Sequence, residues 1–229
     1  MKVERFNLIF RIQHFLMFLS VLFLIATGFL MSSFRNFDDY FLNSITNYIG
    51  GIDKIRKIHH FFGYLLTFSF SYLLLYIFVH PEGRRDFLLF LPTKKDFKDF
   101  YHNIAHFLGK KEKPPEFGRF SYWEKFDFWA AFWGCIIMIG SGIIMLFPEK
   151  FSNIFVGNKL QVVYEVAIEA HYHEAILAAL ALLIWHLYNV HLKPKKFPGS
   201  LLWFDGKIKA EEKIKEHPLE DKELNLFGR

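Results

Sequence analysis

Four apolar stretches, each long enough to cross a bilayer, constrain the fold of this chain more than any other feature. They run at about residues 8–31, 58–80, 128–147 and 167–191. A transmembrane helix needs roughly 20 predominantly apolar residues. Proline follows three of the four stretches within a few residues, as expected where a helix stops. We therefore predict an all-α integral membrane protein, a four-transmembrane-helix bundle.

The basic residues are distributed unevenly among the segments that connect these stretches. Of the 28 Lys and Arg residues, 22 lie before residue 12, within 81–127 or after residue 191, and six lie within 32–57 and 148–166. Cytoplasmic segments of membrane proteins are rich in Lys and Arg. We therefore expect both termini and the long 81–127 loop to be cytoplasmic. Because the basic residues follow this rule, they give no support to nucleic-acid binding.

We predict a membrane domain over residues 1–195 and a cytoplasmic tail over 196–229. The first span could be a secretory signal, but it is too long for one and no small-residue cleavage site follows it, so we interpret it as retained. Within the cytoplasmic segments, Lys94–Leu108 is basic and amphipathic. The tail is predicted to contain a solvated helix over 207–223, broken at His217-Pro218.

A single cysteine limits the cofactors that the chain can hold. One Cys and no CxxCH sequence exclude a disulfide framework, a Cys-ligated iron–sulfur cluster and a covalent c-type haem.

Histidines inside the spans are the strongest functional signal, because an ionisable group within a membrane is expensive. His14 and His186 lie near the cytoplasmic ends of spans one and four. His59 and His171 open spans two and four at the outer face. The four histidines therefore form two pairs, each at one depth in the membrane.

The spacing of the two histidines along span four is compatible with two separate binding sites, one near each membrane surface. His171 and His186 are 15 residues apart, which corresponds to about 22 Å along the axis and roughly 60° around it. Both imidazoles can therefore face the bundle interior. His173 lies roughly 140° from His186 by the same geometry, and we expect it at the rim.

Two imidazoles are too few for zinc, but they are sufficient as the axial ligands of a haem iron in a helical bundle. We predict two b-type haems with bis-His ligation, with His14, His59, His171 and His186 as the metal ligands. The alternatives are packed core histidines in a cofactor-free membrane anchor or assembly subunit, and a transporter that relays ions through histidines. The transporter would need acidic residues at mid-membrane, which the first three spans lack.

Glycines and arginines near the histidines fit a haem, although each has an ordinary explanation. Gly28 and Gly63 would let a flat macrocycle approach the backbone, or they could serve helix packing. Arg11 and Arg56 each precede a histidine ligand by one turn and could bind propionates. They could equally reach out of the membrane edge toward water.

The ordered set of motifs resembles the di-haem cytochrome b family that includes the gamma subunit of formate dehydrogenase and the cytochrome b subunit of nickel–iron hydrogenase. The resemblance covers about residues 8–195. Its carrying segments are Arg11-Ile-Gln-His14 with Thr27-Gly28, His59-His60-Phe-Phe-Gly63, Glu124-Lys125-Phe126-Asp127, Ala170-His171-Tyr-His-Glu174-Ala175 and Trp185-His186-Leu-Tyr188-Asn189.

The resemblance implies a quinone-reactive electron-transfer subunit of an oxidoreductase complex in the inner membrane of a bacterium or archaeon. It implies that His59 pairs with His171 and His14 with His186. It implies menaquinone or ubiquinone as a further cofactor beside the cytoplasmic haem, where Tyr188, Asn189 and His191 could hydrogen-bond it. The longer middle loop resembles subunits whose periplasmic partner is a multihaem c-type cytochrome or another iron–sulfur or catalytic reductase subunit.

Overall fold

Helices form most of the structure, a computed structural model that describes residues 1–36, 40–152, 154, 158–194, 196–197 and 199–226. The helices are α1 (Leu8–Asn36), α2 (Tyr40–Ile49), α3 (Ile52–Val79), α4 (Pro81–Phe90), α5 (Lys94–Phe107), α6 (Tyr122–Leu146), α7 (Pro148–Phe151), α8 (Asn158–Leu180), α9 (Leu202–Asp205), α10 (Ala210–Glu216) and α11 (Glu220–Leu226). Two π-helical segments, Ala181–His186 and Tyr188–Leu192, follow α8. Strands β1 (Lys2–Glu4) and β2 (Lys207–Lys209) pair antiparallel.

Within the residues that the structure describes, four helices are long and apolar enough to cross a membrane, and they correspond to the four predicted spans. They are Leu8–Ser32, Ile52–Val79, Tyr122–Leu146 and Asn158–Leu192, the last including the π-helical segments. Many of their large apolar side chains are exposed, as expected of surfaces that lipid covers. The predicted all-α, four-span fold class is confirmed.

One compact unit comprises Ile12–Tyr72 and Trp133–Ser200 and contains the four span histidines. Its interior includes small hydroxyl residues, and Ser20 and Ser69 are completely buried. The Ser20 hydroxyl donates to the Leu16 carbonyl at 2.7 Å. Small residues of this kind let membrane helices approach closely, and bonding to the preceding helical turn satisfies the hydroxyl without water.

A two-glycine turn sets the start of α3 and so the position of His59. Gly50 and Gly51 have φ values of 115° and 85°, a left-handed conformation that only glycine adopts without strain. The Gly51 amide donates to the Thr46 carbonyl at 2.8 Å, which closes the end of α2. The chain then reverses and begins α3 at Ile52.

The other compact unit comprises Met1–Arg11, Leu73–Phe132 and Leu201–Arg229. Its interior contains a buried ionic network around Arg119, which is 4% exposed. The guanidinium of Arg119 donates to Glu220 at 2.8 Å and to Asp86 at 2.9 Å. Removing one partner of such a network would leave the others as uncompensated buried charges.

This network changes the expectation for the C-terminal segment. A helix break at His217-Pro218 is present, since α10 ends at Glu216 and α11 begins at Glu220. However, His217 is 6% and Glu220 1% exposed. The segment is therefore packed within its unit rather than solvated on all sides, because Glu220 supplies the carboxylate that Arg119 requires.

His217 is held as a neutral imidazole in this interior. Its Nδ1–H donates to the Gly118 carbonyl at 2.7 Å. Burial lowers the pKa of His217 from its usual 6.5, and the charge of Arg5 lowers it further, while the Glu124 carboxylate opposes the shift.

We predict that acidification weakens the packing of the C-terminal segment. Burial lowers the pKa of His217, so below about pH 6.5 a released His217 binds a proton more readily than the buried one, and stability is lost as the pH falls through this range. Hydrogen exchange of the α10 and α11 amides, corrected for intrinsic rates, measures this loss. In His217→Asn the pH dependence should shrink, whereas it should persist in His173→Gln, a change at a side chain that is 70% exposed. An unchanged dependence in His217→Asn would contradict the assignment.

Candidate functional site

His59 and His171 lie face to face in the unit that contains the spans' histidines. His59 is in the second turn of α3 and His171 is midway along α8. Their ring centres are 6.3 Å apart and the ring planes are inclined at 61°. Both side chains are half-buried.

His14 and His186 form a second facing pair. His14 is in the second turn of α1, and His186 is the last residue of the first π-helical segment. Their ring centres are 6.5 Å apart and the planes are inclined at 32°. A π-helix has more residues per turn than an α-helix, so it changes the direction in which His186 projects relative to His171. Such segments are frequent at functional sites.

The separation within each pair fits two axial ligands of one metal ion. A metal–nitrogen bond of about 2.0 Å and about 1.1 Å from that nitrogen to its ring centre, counted on both sides, give about 6.2 Å. The observed 6.3 Å and 6.5 Å are close to this value. Within the part of the chain that the structure describes, no cluster of three or more His, Cys, Asp or Glu residues is placed to hold a metal. A haem iron, which needs only two protein ligands, therefore fits the donor set.

Two hydroxyl groups fix the proton on the rings of His59 and His171. The Thr27 hydroxyl is 2.6 Å from the Phe23 carbonyl and 2.8 Å from His59 Nδ1. Because a carbonyl only accepts, the hydroxyl proton goes to Phe23, and the Thr27 oxygen must accept from His59 Nδ1–H. His59 Nε2 is then left with its lone pair, which is the form that a metal requires.

The same arrangement recurs on α6 for the other ring of this pair. The Ser141 hydroxyl donates to the Ile137 carbonyl at 2.6 Å, and its oxygen lies 2.9 Å from His171 Nδ1. His171 Nδ1–H must therefore donate to Ser141, which again leaves Nε2 with a lone pair. Outer partners of this kind orient a metal-binding imidazole and raise its basicity.

A glycine accompanies each hydroxyl residue. A Cβ atom on Gly28 would lie 3.5 Å from His59 Cε1, and one on Gly142 would lie 3.5 Å from His171 Cε1. Gly28, which was predicted to let a flat macrocycle approach the backbone, lies beside the His59 ring. A Cβ on Gly63 would meet nothing within 4 Å, whereas one on Gly134 would come within 2.9 Å of the Glu174 carboxylate.

The two predicted arginines make contacts with protein groups. Arg11 donates to the Phe204 carbonyl at 2.6 Å. Arg56 pairs with Asp53 at 3.0 Å, and both side chains are exposed. Their proposed contact with propionates remains a prediction that would require these side chains to exchange partners.

The polar residues after His186 lie in the second π-helical segment. Asn189 donates to the Trp185 carbonyl at 2.8 Å, and Tyr188 is 49% exposed. A Cβ on Gly199 would lie 2.7 Å from His191 Nδ1, so the chain passes close to that ring. Elsewhere, His173 is exposed and pairs with Glu169 at 3.2 Å, which places it at the rim as expected.

Sequence reasoning missed the hydrogen bonds that Thr27 and Ser141 make to the histidine rings. The third span has no histidine, yet its Ser141 supplies the hydroxyl that faces His171. The available signal was a repeated dipeptide: Thr27-Gly28 on the first span and Ser141-Gly142 on the third.

A four-span helical protein whose histidines face each other in pairs belongs to the class of membrane cytochromes b. The family model described as prokaryotic cytochrome b561 matches residues 5–197, which include all four spans. The chain therefore belongs to the prokaryotic cytochrome b561 family, and the predicted kinship with hydrogenase cytochrome b subunits is confirmed. It is a multi-pass bacterial membrane protein, a b-type cytochrome of electron transfer. Comparison with curated proteins found no match.

We predict that bulk at Gly142 reduces haem binding. The first side-chain carbon already contacts the His171 ring, so Gly142→Ala should retain haem, while the longer side chain of Gly142→Leu should displace the imidazole. Gly140, two residues earlier, is exposed and has open space at its Cβ position, so Gly140→Leu is the matched control. Pyridine-haemochrome assay of the purified variants measures haem per chain. Full haem content in Gly142→Leu would show that the ring position does not depend on this contact.

Proposed function

We propose that the protein holds two b-type haems, one between His59 and His171 and one between His14 and His186. The observation that supports this most directly is the presence of two facing imidazole pairs separated by 6.3 Å and 6.5 Å. Each pair offers the two axial ligands of one iron. Bound haem supplies reversible one-electron chemistry.

The residues around the two pairs would bind the haems, orient the histidine rings and insulate both from water. Thr27 and Ser141 hold the rings of one pair in the metal-binding tautomer, while Gly28 and Gly142 leave their edges uncovered. Arg11 and Arg56 would neutralise propionates, and Gly63 would admit the macrocycle. Within a bilayer, the apolar helices around the pairs would keep protons and solvent away from the redox centres.

We further propose that the protein transfers electrons between the quinone pool and a periplasmic redox partner. The two pairs share only the fourth span, on which His171 and His186 lie 15 residues or about 22 Å apart, so that two haems placed in this way would connect the two faces of the membrane. The excess of Lys and Arg in the termini and the 81–127 segment supports cytoplasmic termini. His14 and His186 are then on the cytoplasmic side, where Tyr188, Asn189 and His191 could hydrogen-bond menaquinone or ubiquinone.

The partner would be a multihaem c-type cytochrome or an iron–sulfur or catalytic oxidoreductase subunit that docks on the periplasmic face. The chain would then act as the quinone-reactive, membrane-anchoring subunit of the complex. A cofactor-free anchor, the alternative, would give no reason for four imidazoles to face each other in pairs inside the membrane.

We predict that removing one ligand from either pair removes one haem. His14→Ala and His59→Ala should each reduce haem from two per chain to about one, because an iron with one protein ligand is weakly held. Haem quantitation and the reduced-minus-oxidised spectrum measure the loss. His173→Ala is the control, since this side chain is exposed at the rim. Loss of both haems in correctly folded His59→Ala, or of none, would contradict two independent sites.

We predict that the Thr27 hydroxyl lowers the midpoint potential of the haem at the His59–His171 pair alone. Thr27→Val removes the acceptor for His59 Nδ1–H, so the ring becomes a weaker donor to ferric iron and the potential rises. A hydrogen bond of about 1 kcal/mol corresponds to a rise of about 40 mV for one electron.

Redox titration of both haems in one sample measures this shift and supplies an internal reference. Thr27→Ser should restore the original potential, and Ser20→Ala, which removes a similar helix-bonded hydroxyl from the same helix, should leave both potentials unchanged. An equal shift of both haems, or a fall, would contradict the prediction.

A further inference from the structure

Helix α5 carries a continuous exposed apolar face that the electron-transfer role does not use. Phe97, Tyr101 and Ile104, with Leu108 at the C-cap of the helix, recur at helical spacing along one stripe, flanked by Phe100 and Phe107. These six side chains are between 41% and 81% exposed. Isolated exposed apolar residues are ordinary, but a contiguous stripe of this size marks an interaction surface. We call the row of Phe97, Tyr101, Ile104 and Leu108 the α5 stripe.

The structure fixes the direction in which the α5 stripe points. Asp96 pairs with Lys125 at 2.9 Å, and Asn103 donates to the Tyr122 hydroxyl at 2.9 Å. Asp96 and Asn103 lie about 100–120° around the helix from the centre of the stripe. Tyr122 and Lys125 are in the first turn of the candidate span of α6. Helix α5 is thus attached beside the end of a membrane span. Phe100 contacts the Tyr122 ring of this attachment at 5.7 Å, while the row from Phe97 to Leu108 is turned away from it.

Lysines flank the stripe on the side opposite the attachment to α6. Lys94 and Lys98 are exposed on the flank of α5. His102 and His106 bond to the carbonyls of Lys113 and Lys111, at 3.1 Å and 2.9 Å. These two bonds fold the lysine-rich segment that follows α5 back along its polar side.

The resulting charge distribution is net cationic, although the exposed Glu112 lies among the lysines of the segment after α5. Lys110, Lys111 and Lys113 are exposed, so five exposed lysines accompany the stripe. The acidic residues of α5 are engaged elsewhere, since Asp96 pairs with Lys125 and Asp99 with Lys95.

We propose that α5 lies in the headgroup interface of the membrane that holds α6, with the α5 stripe at the acyl boundary and the five lysines on anionic lipid headgroups. Apolar aromatic and aliphatic residues on one face with lysines on the other are the composition of interfacial helices. The attachment to the first turn of α6 brings the helix to that level. Clustered lysines beside a span attract the anionic lipids of the cytoplasmic leaflet. This inference rests on the spans alone and not on the haem assignment.

Site-directed spin labelling of the full chain in lipid nanodiscs tests the proposal. Cys135 is the only cysteine and is buried, so Cys135→Ser gives a background for single labels. Labels at Tyr101→Cys and Ile104→Cys report on the stripe, and Lys98→Cys is the matched control on the same helix. Collision with oxygen, which concentrates in lipid, and with a water-soluble nickel chelate is measured by power saturation.

The expected result is several-fold higher oxygen accessibility than nickel accessibility at positions 101 and 104, and the reverse at position 98. Replacing phosphatidylcholine with a mixture containing phosphatidylglycerol should reduce nickel accessibility at the stripe further, because anionic headgroups hold the lysines.

Nickel accessibility at 101 and 104 equal to that at 98 would overturn the proposal and indicate a face that awaits a soluble partner. Protection from both reagents would also overturn it and indicate contact with protein. Identical values in the two lipid compositions would overturn the anionic-headgroup part.

Discussion

Each imidazole placed inside a bilayer must satisfy two ring nitrogens where no water is available. In the His59–His171 pair, a hydroxyl from a neighbouring helix accepts the Nδ1 proton of each ring. The remaining nitrogen carries a lone pair, and a metal ion is the partner that suits it. The positions of Thr27 and Ser141 follow from this requirement, and the glycine beside each of them leaves room for the ring.

The large features of the fold could be predicted from the sequence because they depend on properties that average over many residues. Span length and apolar composition define four membrane helices without knowledge of any contact. The four histidines were found for a related reason, since an ionisable residue in an apolar stretch stands out in a single sequence. Their depths follow from the alternating direction of the spans.

Features that depend on contacts between distant residues could not be predicted in this way. Serine and threonine are common inside membrane helices, and apart from the glycine that follows it, nothing local distinguishes Ser141 from a hydroxyl that only bonds to its own helix. The π-helical turn that ends at His186 has no sequence signature that we recognised. Glu220 was expected in a solvated helix. It is buried because it accepts a hydrogen bond from Arg119, which lies 101 residues earlier in the chain.

The central claim, two bis-histidine haems in one chain, is tested most directly on the unmodified protein. Haem quantitation combined with near-infrared magnetic circular dichroism of the oxidised form gives both the number of haems and the identity of their axial ligands. Two low-spin haems per chain, each with the bis-imidazole band, is the predicted result. A single haem, or a second haem with a different axial ligand, would contradict the assignment of His14, His59, His171 and His186 as two equivalent pairs.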